Sequence, residues 1–108
     1  MSTNGGQTVG ELLRAYREEE GLKVRKAAAL ADMDPSALSR IENDRRQPTA
    51  AQLAVLAEIY GKPLESLLTV QIYSEIKTKY GQLEQFPDTV KMLYEDAAEH
   101  GKRKVGSE

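Results

Sequence analysis

The sequence predicts an all-α protein, five short helices followed by a helical extension, and three observations carry that prediction. Apolar residues recur at i, i+3, i+4 and i+7 in one stretch after another, the spacing of a single face of an α-helix. Two capping boxes, Thr8-Val9-Gly10-Glu11 and Thr49-Ala50-Ala51-Gln52, mark helix starts. In each, a threonine hydroxyl accepts a backbone N–H three residues on, and the side chain at that position reaches back. No strand-length alternation of apolar and polar residues appears, and no internal repeat.

Taken in order, Val9, Leu12, Leu13 and Tyr16 form the apolar face of a first helix, and Gly21 suits the position just past its end. Val24, Ala27, Ala28 and Ala31 repeat the spacing in a second helix, with Leu30 beside them. Its inward face is nearly all alanine, so another backbone can approach closely. Asp34-Pro35 opens the third helix, because aspartate is a favoured N-cap and proline is tolerated at the first helical position. Two short helices, a tight turn at Asp32-Met33 and small residues at the contact make a helix-turn-helix pattern. A fourth helix buries Leu53, Leu56, Ala57 and Tyr60 and stops at Gly61; a fifth starts at Pro63 with Leu64, Leu67 and Leu68 inward. Ile72, Ile76 and Tyr80 extend the fifth towards Gly81. After a connection from Gly81 to Pro87, Asp88 caps a last helix carrying Val90, Leu93, Tyr94 and Ala97 and ending at Gly101. The expected organisation is a flexible N-terminus (1–7), a helix-turn-helix domain (8–69), a helical extension (70–100) and a disordered tail (101–108).

A chain of 108 residues, 40% hydrophobic and 30% charged, is globular in composition. It has no cysteine, hence no disulfide framework and no thiolate zinc site. No apolar run approaches the roughly 20 residues of a membrane span, and the opening MSTNGGQ lacks the order of a signal peptide, so a cytoplasmic protein is expected. Formal net charge is −2, and its distribution is uneven. Residues 21–48 carry six basic side chains (Lys23, Arg25, Lys26, Arg40, Arg45, Arg46) against four acidic ones, whereas the segments on either side are each net −2. Positive charge gathers around the third helix.

That helix, DPSALSRIENDRRQP over residues 34–48, is poor in apolar residues. At 100° per residue, Ala37, Leu38 and Ile41 share one side, and Ser36, Ser39, Arg40 and Asn43 share the other. Short hydrogen-bonding side chains with one arginine suit an approach to base edges in a major groove. Asn43, Arg45 and Arg46 follow at the helix end, where the chain would rise past phosphates. Glu42 falls close to the buried side, where an unpaired carboxylate is costly. Either a cation stands near it, with Arg17 the candidate, or it tilts into water.

These residues resemble a family. The run from Val9 to Leu68 is similar to the helix-turn-helix domain of Cro and the phage repressors, the XRE family. The similarity lies in L-L-R-x-x-R-E-E-x-G-L (12–22), A-A-x-L-A (27–31), A-L-S-R-I-E-N-D-R-R-x-P (37–48), L-A-x-I-Y (56–60) and P-L-E-S-L-L (63–68). The resemblance implies that the third helix, 35–44, lies in the major groove of double-stranded DNA. It implies base contacts from Ser36, Ala37 and Arg40, with Ser39 beside them. It implies phosphate contacts from Lys23, Asn43 and Arg45, and a buried ion pair between Arg17 and Glu42. The sequence departs from the family at three positions. Val24 stands where a backbone-contacting glutamine is usual, leaving Arg25 and Lys26 as its substitutes, with Arg46 beyond the helix. Asp32 and Asp44 stand where glycines are usual.

Val70 to Ala98 holds Ile72, Tyr73, Ile76, Tyr80, Phe86, Val90, Leu93 and Tyr94, more apolar surface than a dispensable tail would carry. The resemblance makes this a dimerisation segment or a sensor for a protein partner; alternatively it folds back as extra core. The expectation is a transcriptional regulator that binds a (pseudo)palindromic operator as a homodimer, against an alternative in which an antitoxin-like module binds a protein partner through its C-terminal helices. His100 sits near a helix C-terminus, where the dipole favours it. No phosphate-binding glycine loop, metal-ligand spacing or nucleophile–base pair is visible, so neither an enzyme nor a metal or other cofactor is expected.

Overall fold

The computed structural model describes residues 7–106, with side chains as far as His100. It contains six helices and no strand among those residues: α1 (Val9–Glu19), α2 (Val24–Leu30), α3 (Pro35–Glu42), α4 (Ala50–Tyr60), α5 (Leu64–Tyr80) and α6 (Phe86–Gly106). The all-α expectation holds, and two compact units appear, Met1–Glu75 and Ile76–Glu108.

Local chemistry sets the helix ends. Thr8 Oγ1 accepts the Glu11 N–H at 3.1 Å and Glu11 Oε1 accepts the Thr8 N–H, so the first capping box is complete. Thr49 and Gln52 form the second in the same way. The first four helices end in one closure, with a residue of positive φ just past the last turn: Gly21 (72°), Asp32 (55°), Asp44 (61°) and Gly61 (67°). In each, the next residue's N–H returns to a carbonyl five residues back, as in Arg45 N–H to Arg40 O at 2.8 Å and Met33 N–H to Ala28 O at 2.9 Å. These bonds satisfy carbonyls that a helix end would leave unpaired. Aspartate is among the few non-glycine types that accept this conformation.

The core of the first unit is made by Val9, Leu12 and Leu13 of α1, Ala27 and Ala28 of α2, Leu38 and Ile41 of α3, the inward side of α4, and Leu67 of α5. The two buried alanines let α2 and α3 pack closely, and α3 also packs against α1. The first unit extends beyond residue 69: Val70 packs against the core, and Gln71 Nε2 donates to Pro48 O at 3.0 Å.

Several local expectations are corrected. Asp34 occupies the N-cap position of α3, but its carboxylate accepts the Ser36 hydroxyl at 3.0 Å instead of capping a backbone N–H. The third helix ends at Glu42, two residues short of 44, because Asp44 has left the helical region. α6 begins at Phe86 and does not stop at Gly101; it runs to Gly106 through part of the tail expected to be disordered. One interior glycine costs a helix only about 1 kcal/mol, and lysine and arginine, which follow it, are good helix formers. The expected flexible N-terminus, apart from Gln7, and the last two residues of the expected tail lie outside the described residues.

Candidate nucleic-acid interface

Two faces of α3 do different work. Inward, Leu38 and Ile41 are fully buried and Glu42 is 5% exposed. Its carboxylate meets Arg17 of α1 in a two-pronged pair, Arg17 Nε to Oε2 at 2.8 Å and Nη2 to Oε1 at 3.0 Å. The third arm of the guanidinium, Nη1, donates to Leu22 O at 2.8 Å in the α1–α2 connection. Hydrogen bonding to Glu42 raises the Arg17 pKa above its ordinary value. The two-pronged contact fixes α3 against α1 and the entry to α2. The planar fork of arginine suits such a two-point contact, and lysine would not reproduce it.

Outward, Ser36, Arg40 and Asn43 are exposed and Ser39 is half-buried. Ala37 is the correction on this face: it is only 7% exposed, because one turn before Ile41 it lies on the inward side. Its methyl group is not part of the outward surface. Asn43 closes the helix by donating Nδ2–H to Ser39 O at 2.8 Å, which leaves its side-chain carbonyl free to accept.

Around this face stand Lys23 at the N-cap of α2, Arg25 and Lys26 in its first turn, and Arg45 and Arg46 after α3, all exposed. Among the described residues, none of these five cations, nor Arg40, makes an ion pair. Other cations do: Arg14 meets Glu18, Lys62 meets Glu19, and Arg17 meets Glu42. The helix that buries its glutamate in an ion pair with α1 on one side thus carries uncompensated positive charge on and around the other. Asp44 interrupts that charge. Its carboxylate is not turned to the neighbouring arginines; Oδ2 accepts the Thr8 hydroxyl at 2.9 Å.

A family model described as a helix-turn-helix domain matches residues 8–68. The chain belongs to the Cro and phage-repressor (XRE) type of helix-turn-helix DNA-binding proteins. It is 34% identical over 64 residues to the HTH-type transcriptional regulator PuuR of Escherichia coli, covering 59% of this chain and 35% of that protein. It is 39% identical over 70 residues to the HTH-type transcriptional repressor RghR of Bacillus subtilis, covering 64% of this chain and 52% of that one. The chain therefore spans between a third and about half the length of these curated relatives. A chain of the solved SinR protein/SinI protein complex has a similar fold, with a TM-score of 0.55 at 17% identity, covering 86% of this chain and 99% of that one. The matched segment contains α1 to α4 and most of the turn chemistry described above.

The residues expected to mediate dimerisation fall in both units. Ile72 and Tyr73 are exposed on α5 in the first. In the second, Tyr80, Val90, Leu93 and Tyr94 are exposed, Tyr94 at 73%, and Ile76 is half-buried. An apolar cleft of about 220 Å³ lies within the second unit, lined by Ile76, Tyr80, Leu83, Phe86 and Leu93 with Gln85 and Thr89. Sequence reasoning missed Met92 and Leu83, both exposed and apolar; their hydrophobicity was the signal. No helix among the described residues is long and apolar enough to cross a membrane.

Proposed function

We propose that the protein is a transcriptional regulator that binds a (pseudo)palindromic operator as a homodimer and reads it with the outward face of α3. One observation carries the reading: six unpaired cations surround a helix face of short polar side chains, in a domain of a DNA-binding family. Arg40 has the reach for a two-point contact with guanine, worth about 1–3 kcal/mol against a wrong base. Ser36 and Ser39 supply small hydroxyls beside it. Lys23, Arg25, Lys26, Asn43, Arg45 and Arg46 meet phosphates, which fix register without reading sequence. Binding then weakens with salt at a slope of about −0.9 per phosphate contacted. A single arginine with two serines discriminates little, so two copies on half-sites about 34 Å apart supply the remaining specificity.

A second reading is favoured by the exposed apolar side chains of the second unit, Tyr80, Leu83, Val90, Met92, Leu93 and Tyr94, which suit a protein partner as well as a second copy. The complex whose chain shares this fold holds two different proteins, SinR and SinI. Selection of genomic DNA fragments by the purified protein separates the readings. Operator binding predicts a motif with two related half-sites and a footprint of a dimer; a protein-interaction module returns no motif.

A further inference from the structure

Asp44 is the one acidic side chain inside the run Asn43–Arg46, where the reading above places phosphates. A carboxylate there should repel DNA. In the structure this carboxylate is held by another part of the chain. Asp44 Oδ2 accepts the Thr8 hydroxyl at 2.9 Å, across 36 residues of sequence. Thr8 Oγ1 is already the acceptor for the Glu11 N–H at 3.1 Å, so its own proton is committed outward, to Asp44. The other carboxylate oxygen lies against Gly10: a Cβ on that glycine would come within 2.6 Å of Oδ1 and would collide with Ile41 O. The carboxylate is thus drawn to the first turn of α1, where the helix dipole favours negative charge. The positive φ of Asp44 makes this direction available.

We propose that Thr8 is a positioning residue for DNA binding: its hydrogen bond holds the Asp44 carboxylate on α1, clear of the phosphate path of Arg45 and Arg46. The proposal rests on the DNA-reading role of α3. It gives this chain's departure from the family at this position a compensating partner: the Thr8 hydroxyl donates to the aspartate that stands in the glycine position, and Gly10 leaves room for its carboxylate.

The test measures the dissociation constant on the selected DNA fragment at low salt for five proteins: wild type, Thr8→Val, Thr8→Ser, Asp44→Asn, and Thr8→Val with Asp44→Asn. Thr8→Val should weaken binding about tenfold, with the loss shrinking as salt screens the released carboxylate. Thr8→Ser, which keeps the hydroxyl, should bind as wild type, and Asp44→Asn should stay within about threefold of it. Asp44→Asn should also restore the Thr8→Val protein. Glycine is tolerated at a helix start, so Thr8→Gly repeats the test if the valine variant does not fold. The proposal is overturned if Thr8→Val binds as tightly as wild type, or if the double variant stays as weak as Thr8→Val, which would mean that Thr8 acts only through the helix cap. If wild type selects no DNA, the DNA-reading role fails and this proposal falls with it.

Discussion

Residues up to Glu75 bury thirteen hydrophobic side chains among those described, whereas from Pro87 to His100 no side chain is buried, with Val90, Met92, Leu93 and Tyr94 among the exposed. Both regions are helical and both carry apolar residues at helical spacing. What differs is where the partner face comes from. In the first unit, α1, α2, α3 and α4 supply each other's partner, and the outer face of α3 is left free for charge. In the second, α6 has the stripe of a packed helix without a buried position along those fourteen residues. An amphipathic helix gains most of its stability from packing that face. The first unit thus covers its own apolar faces, and the proposed homodimer supplies a covering for those of the second.

The contrast predicts that perturbations in the two units separate cleanly. The largest effect should come from Glu42→Ala, which strands the buried Arg17 guanidinium. Removing one partner of a buried pair costs about 3–5 kcal/mol, so the midpoint of denaturant unfolding should fall sharply. Leu93→Asp should do the reverse. It should leave the stability of the first unit within about 0.5 kcal/mol, while ultracentrifugation shows monomers and operator affinity falls about a hundredfold as the linked second half-site is lost. If the leucine variant instead unfolds the first unit, the second is part of its core and the contrast fails.

Gly10→Ala should be intermediate. A methyl group there meets Ile41 O, a backbone atom with little freedom to move, and overpacking of this kind costs about 1–3 kcal/mol. The smallest effect should be that of Tyr60→Phe. Tyr60 is buried and its hydroxyl has no hydrogen-bond partner among the described residues, so losing it should change stability by less than about 1 kcal/mol at neutral pH. Burial pushes the Tyr60 pKa up to about 12 from its ordinary 10. Since the folded state holds the phenolic proton more tightly, the corresponding stability is intact below pH 10 and is lost as pH rises towards 12. The phenylalanine variant should lack that alkaline loss in pH-dependent unfolding.

Signals that act over three or four residues were legible in the sequence. Thr8 with Glu11 and Thr49 with Gln52 announce helix starts because each partner lies one turn away, and Gly21 and Gly61 announce stops because few other residues take positive φ. The buried side of α3 follows from 100° steps, which bring Glu42 beside Ile41 and so towards a cation. The same steps put Ala37 inward, against the base-reading role implied for it by the resemblance. What lay beyond reach depended on distant or competing partners. Asp34 could cap α3 or accept from Ser36, and nothing local decides between them. Gly101 reads as a stop, yet favourable residues on both sides carry α6 through it. The bond between Thr8 and Asp44 joins residues 36 apart in sequence, so neither residue alone points to the other.

The most direct test of α3 as the reading helix is to compare wild type and Arg40→Ala on the selected operator and on versions changed one base pair at a time. Loss of a two-point guanine contact should weaken operator binding by about 1–3 kcal/mol and make one position in each half-site indifferent to base identity, with preference elsewhere retained. Undiminished affinity and an unchanged preference at every position would contradict it.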